Sequence, residues 1–218
     1  MEPTDQAGVW RDGRTLYTRN AVPGRTVGDE AVRRSDGVEY RVWDPFHSKL
    51  AAYLLRGAPP RLWNGARSIL YLGGAHGTTA SHLAEAVPDA LVFVVEKSPV
   101  AFAPLLALSR ERPNLVPMLA DAQLPERYAA DVGLVDFLYQ DIAQRQQAAI
   151  FAENVRTLLA DGGRAVLMLK VRSVSQRRPA TEVVRAARAE LERADLRIVH
   201  EANLLPFSRE HAALTVRA

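Results

Sequence analysis

"YLGGAHGTTASHLAE", residues 71–85, decides how the rest of the chain is read. A short apolar run ends in Gly73, Gly74 and Gly77, and the residues after them have the make-up of a helix. Glycines where a strand hands over to a helix let something approach the backbone closely, or simply let the chain turn. The G-G-A-H-G order misses the G-x-G-x-x-G spacing of a dinucleotide fold, and "GTT" lacks the lysine of a P-loop. Close approach is allowed; a phosphate is not indicated.

Outward from this stretch, apolar strands alternate with helices. Strands are predicted at 68–74, 90–96, 114–120, 132–141 and 164–170, with helices at 77–87, 98–111, 143–160 and 179–194. Ser98 is placed as an N-cap, with Pro99 at the first helical position. Strands so uniformly apolar, separated by helices, imply an α/β fold with a parallel sheet covered on both faces. The tail from residue 196 supplies two more strands around a loop. Upstream, "DPFHSKLAAYLLRG" (44–57) is predicted as a helix opening near Pro45 and stopping at Gly57. Before it, turn signals at 12–14, 22–25 and 35–40 suit a small antiparallel sheet of hairpins. The expected division is an N-terminal β-hairpin subdomain at 1–45 and an α/β domain at 46–218.

Composition excludes several chemistries. The chain has 218 residues, 48% of them hydrophobic, enough to bury a full core. It has no cysteine, so disulfides, thiolate metal sites and cysteine nucleophiles are ruled out, and no metal is expected. The opening residues lack a basic-then-apolar leader, and no apolar run approaches the ~20 residues of a membrane span. The expectation is a cytoplasmic protein without a membrane partner. Net charge is only +3, a mild pull toward polyanions. Of 28 basic residues just three are lysine: Lys49, Lys97 and Lys170. Lysine, unlike arginine, can give up its proton when its surroundings press it.

Ligands of such sheets sit at the carboxyl ends of the strands, near the switch in strand order. Glu96 ends the second strand, where a carboxylate can accept both hydroxyls of a ribose. Asp121 comes after the third strand and can accept from the exocyclic amine of a base. Asp141 closes the fourth. Three acids and a glycine loop at consecutive strand ends suit adenosine without phosphates, which points to S-adenosylmethionine.

The residues "VEYRVWDPFHSKLAAYLL" (38–55), "YLGGAHGTTASHLAE", "VVEKSP" (94–99), "NLVPMLADAQLPERY" (114–128), 135–170 and "PFSREHAALTV" (206–216) together resemble fibrillarin in its short archaeal form. The resemblance covers nearly the whole chain. It implies a Rossmann-like, S-adenosylmethionine-dependent methyltransferase that modifies ribose 2′-oxygens of ribosomal RNA, and of transfer RNA too. It further implies a box C/D guide RNA, target rRNA, a Nop-type scaffold protein and a kink-turn-binding ribosomal-like protein as partners. By resemblance, Gly73, Ala75, Gly77, Thr78 and Thr79 line the methionine and ribose part of the cofactor. Glu96 lies on the ribose, Asp121 and Ala122 at the adenine, and Asp141 and Gln144 near the methionine end. Lys97 stands where the family usually has an aromatic residue, and its stem is expected to cover the adenine. The family's Lys-Asp-Lys-His catalytic set falls on Lys49, Asp141, Lys170 and His211, while His200 is expected to be an edge-strand residue.

Much of the rate of methyl transfer comes from aligning the 2′-oxygen with the methyl and sulfur. The hydroxyl proton must also leave, and Lys170 is the expected acceptor, a role closed to arginine. "KVRSVSQRR" (170–178) contains no acid, so Arg172, Arg177 and Arg178 are expected on RNA phosphates. Two other readings stay open: a protein glutamine methyltransferase, and a non-catalytic assembly subunit of a ribonucleoprotein.

Overall fold

The computed structural model describes residues 1–217. Five strands, β1 (Glu2–Pro3), β2 (Val9–Asp12), β3 (Thr15–Arg19), β4 (Val32–Ser35) and β5 (Val38–Trp43), form an antiparallel sheet in the order β1-β2-β3-β5-β4. Two of its turns are two-residue loops, between the pairs Asp12↔Thr15 and Ser35↔Val38. In the second loop Asp36 and Gly37 both take positive φ, 52° and 76°. That is the Asp-Gly chemistry that matches a turn to the twist of its flanking strands.

The first helix, α1 (Lys49–Leu55), begins later than the sequence predicts. Ser48 caps it, its hydroxyl accepting from the Ala51 N–H. Residues 44–47 form a turn in which the Asp44 carboxylate accepts from Phe46 N at 2.9 Å. A serine that satisfies an orphan N–H wins over a proline that only fixes φ. Lys49 thereby becomes the first helical residue.

Seven strands build the main sheet: β6 (Ser68–Leu72), β7 (Leu91–Glu96), β8 (Leu115–Leu119), β9 (Val135–Gln140), β10 (Leu159–Lys170), β11 (Arg197–Asn203) and β12 (His211–Arg217). Their order is β11-β12-β10-β9-β6-β7-β8. Strands β6 to β10 pair in parallel, while β12 runs antiparallel to both β10 and β11. The helices between them are α2 (Thr78–Ala86), α3 (Pro99–Ser109), α4 (Ala129–Val132), α5 (Gln147–Leu158), α6 (Val171–Val174) and α7 (Ala180–Arg193). Ser98 caps α3 and Pro99 opens it.

Boundaries shift for local reasons. The strand predicted from 132 starts at Val135, because 129–132 coil into α4 and Gly133, at φ 69°, ends that helix. The helix predicted from 143 starts at Gln147, leaving 141–146 as the loop after β9. The basic segment after β10 is not all loop, since α6 takes its first four residues after Lys170.

Alternate residues of the central strands feed two cores. Ile69, Tyr71, Val92, Val94, Phe137, Tyr139, Val166 and Met168 face one side, and Leu70, Leu72, Phe93, Val95, Leu138, Ala165 and Leu167 the other. The N-terminal sheet buries Val9, Leu16 and Trp43 in the first core, against α1 and α2. A buried ion network ties the N-terminal sheet to α2 and to the loop before β8: Arg41 reaches Glu30 at 2.7 Å and Glu85 at 2.6 Å, and Arg112 reaches Glu85 at 2.7 Å.

Candidate active site

Strands β6 and β9 lie side by side, yet the chain leaves β6 toward β7 and leaves β9 toward β10. This is the switch point, and a crevice opens at the carboxyl ends there. What approaches the glycines is protein. Gly73 has φ +90°, and a Cβ on it would stand 2.3 Å from the Asp141 carbonyl oxygen. Asp141 N in turn donates to Leu72 O at 2.9 Å. Only glycine lets the end of β6 pass so close to the residue that follows β9.

A cavity of about 390 Å³ occupies the crevice, lined by Gly73, Ala75, Glu96, Lys97, Ala122, Asp141 and Gln144 among others. A larger hollow of about 790 Å³ lies beside Arg19, Asp89 and Arg112, away from the strand ends. Chemistry rather than size picks the site. Glu96 accepts from Ala75 N at 2.9 Å on one oxygen and from Ser98 N at 2.8 Å on the other. It thereby stitches the β6 loop to the start of α3. Asp121 stands behind the wall, accepting from Gln123 N at 3.0 Å and from the Gln144 amide at 3.3 Å, with Lys97 Nζ at 3.8 Å. Burial pushes its pKa up, but these donors and the Lys97 charge outweigh it, and the net shift is downward. The Gln144 Oε1 is buried with no hydrogen-bond partner. A buried acceptor left open on a cavity wall calls for a donor from a ligand.

Past Asp141, the four residues of the predicted catalytic set come together from four elements. Lys49 Nζ donates to Asp141 Oδ2 at 2.6 Å, from the first residue of α1 to the end of β9. Lys170 ends β10 and His211 begins β12, directly opposite it in the ladder. Burial raises the Asp141 pKa; the charges of Lys49 and Lys170 pull it back without cancelling the rise. His211 is lowered to about 3, by burial first and then by Lys49 and Lys170, so its imidazole is neutral at physiological pH. Its Nδ1 lies 2.7 Å from Ser208 Oγ, and its Nε2 is buried without a partner.

Some expected ligands fall elsewhere. The buried hydroxyl of Thr79 turns into the core and donates to Ser48 Oγ at 3.0 Å. Thr78 lines a separate hollow with Trp43 and His47. Gly77 caps α2 against Leu105 and Leu108. His200 lies on β11, with Nδ1 2.7 Å from the Tyr53 hydroxyl. The basic segment also acquires acids that its own sequence lacks. Arg172 lies 3.6 Å from Glu210 and Arg178 3.7 Å from Glu182, all four side chains exposed. Such pairs contribute little and open readily. Arg177 has no ion pair among the described residues.

Two supporting residues escaped the sequence reading, Ser208 beside His211 and Gln147 beside Lys170. Both lie in polar stretches where no periodicity singles out one side chain.

Known proteins share this architecture and more. The family model described as fibrillarin matches residues 6–218. The fibrillarin-like rRNA/tRNA 2′-O-methyltransferase of Methanothermobacter thermautotrophicus is 37% identical over 210 residues, covering 96% of this chain and 94% of its own. Among solved structures, Aeropyrum pernix fibrillarin with natively bound S-adenosyl-L-methionine superposes with a TM-score of 0.85 at 40% identity, over 93% of this chain and 88% of that one. A fibrillarin chain from a fibrillarin/Nop5p complex superposes at 0.88 with 37% identity, covering 99% of both chains.

Proposed function

Because this chain belongs to the fibrillarin family, we propose that it is an S-adenosylmethionine-dependent RNA methyltransferase acting on ribose 2′-oxygens of ribosomal and transfer RNA. Its expected place is the cytoplasm, and it works on a Nop-type scaffold; the relative solved with Nop5p supports the scaffold. A box C/D guide RNA selects the target, and a kink-turn-binding protein completes the particle.

The crevice suits that cofactor. Gly73 keeps the floor open, Glu96 stands at the end of β7 for a ribose, and Gln144 Oε1 is an unfilled acceptor. Lys97, half-exposed over Asp121, offers its aliphatic stem to the adenine. When bound, the cofactor supplies a methyl group made electrophilic by its sulfonium sulfur.

The observation that carries the reading is Asp141 on the wall of this cavity, bonded to Lys49 and under the charge of Lys170, which faces His211 across the ladder. Asp141 and Lys49 fix each other, so the acid end of β9 is held in place rather than free to swing. Lys170, in its neutral form, would take the proton of the 2′-hydroxyl as the new O–C bond replaces the methyl–sulfur bond. His211, neutral, places no positive charge of its own beside that amine. The remainder of the rate comes from holding the ribose in line.

The test is reconstitution with guide RNA, target RNA and methyl-labelled cofactor, followed by mapping of the label. Label is expected on the 2′-oxygen of one guide-specified nucleotide. Label on a protein glutamine, or no transfer at all, overturns the reading.

A further inference from the structure

Lys170 stands past the point where β9 stops supporting β10. The last β9–β10 pair is Leu167↔Gln140. On the other side, Val171 N donates to Glu210 O at 2.9 Å, one step beyond the Lys170↔His211 pair. Lys170 and His211 are therefore a non-hydrogen-bonded pair of the antiparallel ladder. The pair is of the closer kind, about 4.5 Å between Cα atoms, with both side chains on one face. In addition, the Lys170 N–H and C=O point away from β12, to the side where β9 has ended.

One buried side chain meets both groups. The Gln147 amide accepts from Lys170 N at 2.8 Å and donates to Lys170 O at 3.1 Å. Gln147 opens α5 and is fully buried. Its own carbonyl accepts from the Gln140 amide at 2.8 Å, and Gln140 is the last residue of β9. A side-chain amide has the donor and acceptor of a peptide group, so Gln147 does what a further residue of β9 would do.

We infer that Gln147 is a positioning residue for Lys170: a side-chain surrogate strand that fixes the direction of the lysine relative to His211 and Asp141. The inference rests on the methyl-transfer reading above. Without the clamp the end of β10 is held only by β12, and the Lys170 amine loses its fixed aim at the crevice. A misplacement of about 1 Å can cost on the order of 10²-fold in rate. The Gln147 side chain does not line the cofactor cavity, so cofactor binding is independent of it.

The full-length chain, with lysines labelled by ¹⁵N, tests this directly, because its three lysines give three main-chain amide signals. In Gln147→Ala, amide exchange is expected to speed up at Lys170 and not at Lys49 or Lys97. Single-turnover methyl transfer in the reconstituted complex should fall about 10-fold or more, with S-adenosylmethionine affinity unchanged. Gln147→Glu adds a signature that a merely structural role lacks. Ionised, the introduced carboxylate keeps the acceptor and loses the donor; protonated, it regains both. Burial raises its pKa, so the ratio of the variant's rate to wild type should climb as pH is lowered. This variant also decides the matter should Gln147→Ala fail to fold. Unchanged exchange at Lys170 overturns the clamp whatever the activity. Faster exchange with a wild-type transfer rate, or a rate ratio for Gln147→Glu that stays flat across pH, overturns the positioning role. A wild-type complex that transfers no methyl sinks the functional reading instead, and the exchange arm still decides the clamp.

Discussion

Lys170 and His211 face each other across two neighbouring antiparallel strands, at a ladder position that carries no hydrogen bonds between them. The sheet thus sets an amine and a neutral imidazole side by side with no loop to relax. Asp141 arrives from the end of β9, the strand on the other side of β10, and is locked to Lys49. This packing of strand ends makes the chemistry sensitive to single substitutions.

Lys170→Arg keeps a positive charge and similar reach, but arginine effectively never deprotonates. Single-turnover transfer should drop by about 10²–10⁴-fold, the usual loss of a general base. Cofactor affinity and assembly on guide RNA should be retained. A near-wild-type rate would show that Lys170 only positions the RNA.

His211 has its pKa lowered from the ordinary value to about 3 in the folded protein. Unfolding lets it bind a proton near pH 6.5, so the unfolded state holds more protons between about pH 6.5 and 3. Stability from this group is present above that window and is lost as pH falls through it. His211→Asn should flatten the acid limb of a stability curve measured by urea unfolding, by at most about 1.4 kcal/mol per pH unit. Buried His82, also shifted down, contributes equally to both proteins and cancels. Identical acid limbs would mean that His211 is not held neutral.

Gly73→Ala forces a side chain into φ +90° and against the Asp141 carbonyl. The backbone strain alone costs about 1–3 kcal/mol. Thermal unfolding should shift down, and calorimetry should show weakened S-adenosylmethionine binding, because β6 and the Asp141 loop must part. A neutral substitution would place Asp141 further from β6 than the structure has it.

Glu96→Ala removes a charged acceptor from the cofactor's expected ribose site and frees the Ala75 and Ser98 N–H groups. Affinity for S-adenosylmethionine should fall by ~1.5–3 kcal/mol. Unchanged calorimetric affinity would remove Glu96 from the site.

Among the described residues Arg177 has no acid partner, whereas Arg172 and Arg178 each have an exposed one. Arg177→Gln should lower the slope of log affinity for single-stranded RNA against log salt by about 0.7, one phosphate contact. Arg172→Gln and Arg178→Gln should lower it less, since each arginine already has a carboxylate counter-charge and neutralises a phosphate less fully. Equal slopes for wild type and all three variants would move the RNA path off this segment.

Sequence by itself determined the alternation of strands and helices, the Asp-Gly hairpin turn, the Ser98 cap, and the acids at the strand ends. Each of these is local: periodicity reports which face of an element is apolar, and a cap or turn is read within a few residues. The family resemblance carried the catalytic set onto Lys49, Asp141, Lys170 and His211. Only tertiary structure decided who touches whom. Thr79 belongs to the same glycine-loop motif as Gly73, yet its hydroxyl faces Ser48 in the core. The reason Gly73 is glycine lies in Asp141, a residue far along the chain. Glu210 and Glu182 reach arginines whose own segment carries no acid, and Gln147 completes a strand that is not its own. Such contacts depend on strand order and register, which bring distant residues within hydrogen-bond reach. No local pattern encodes that distance.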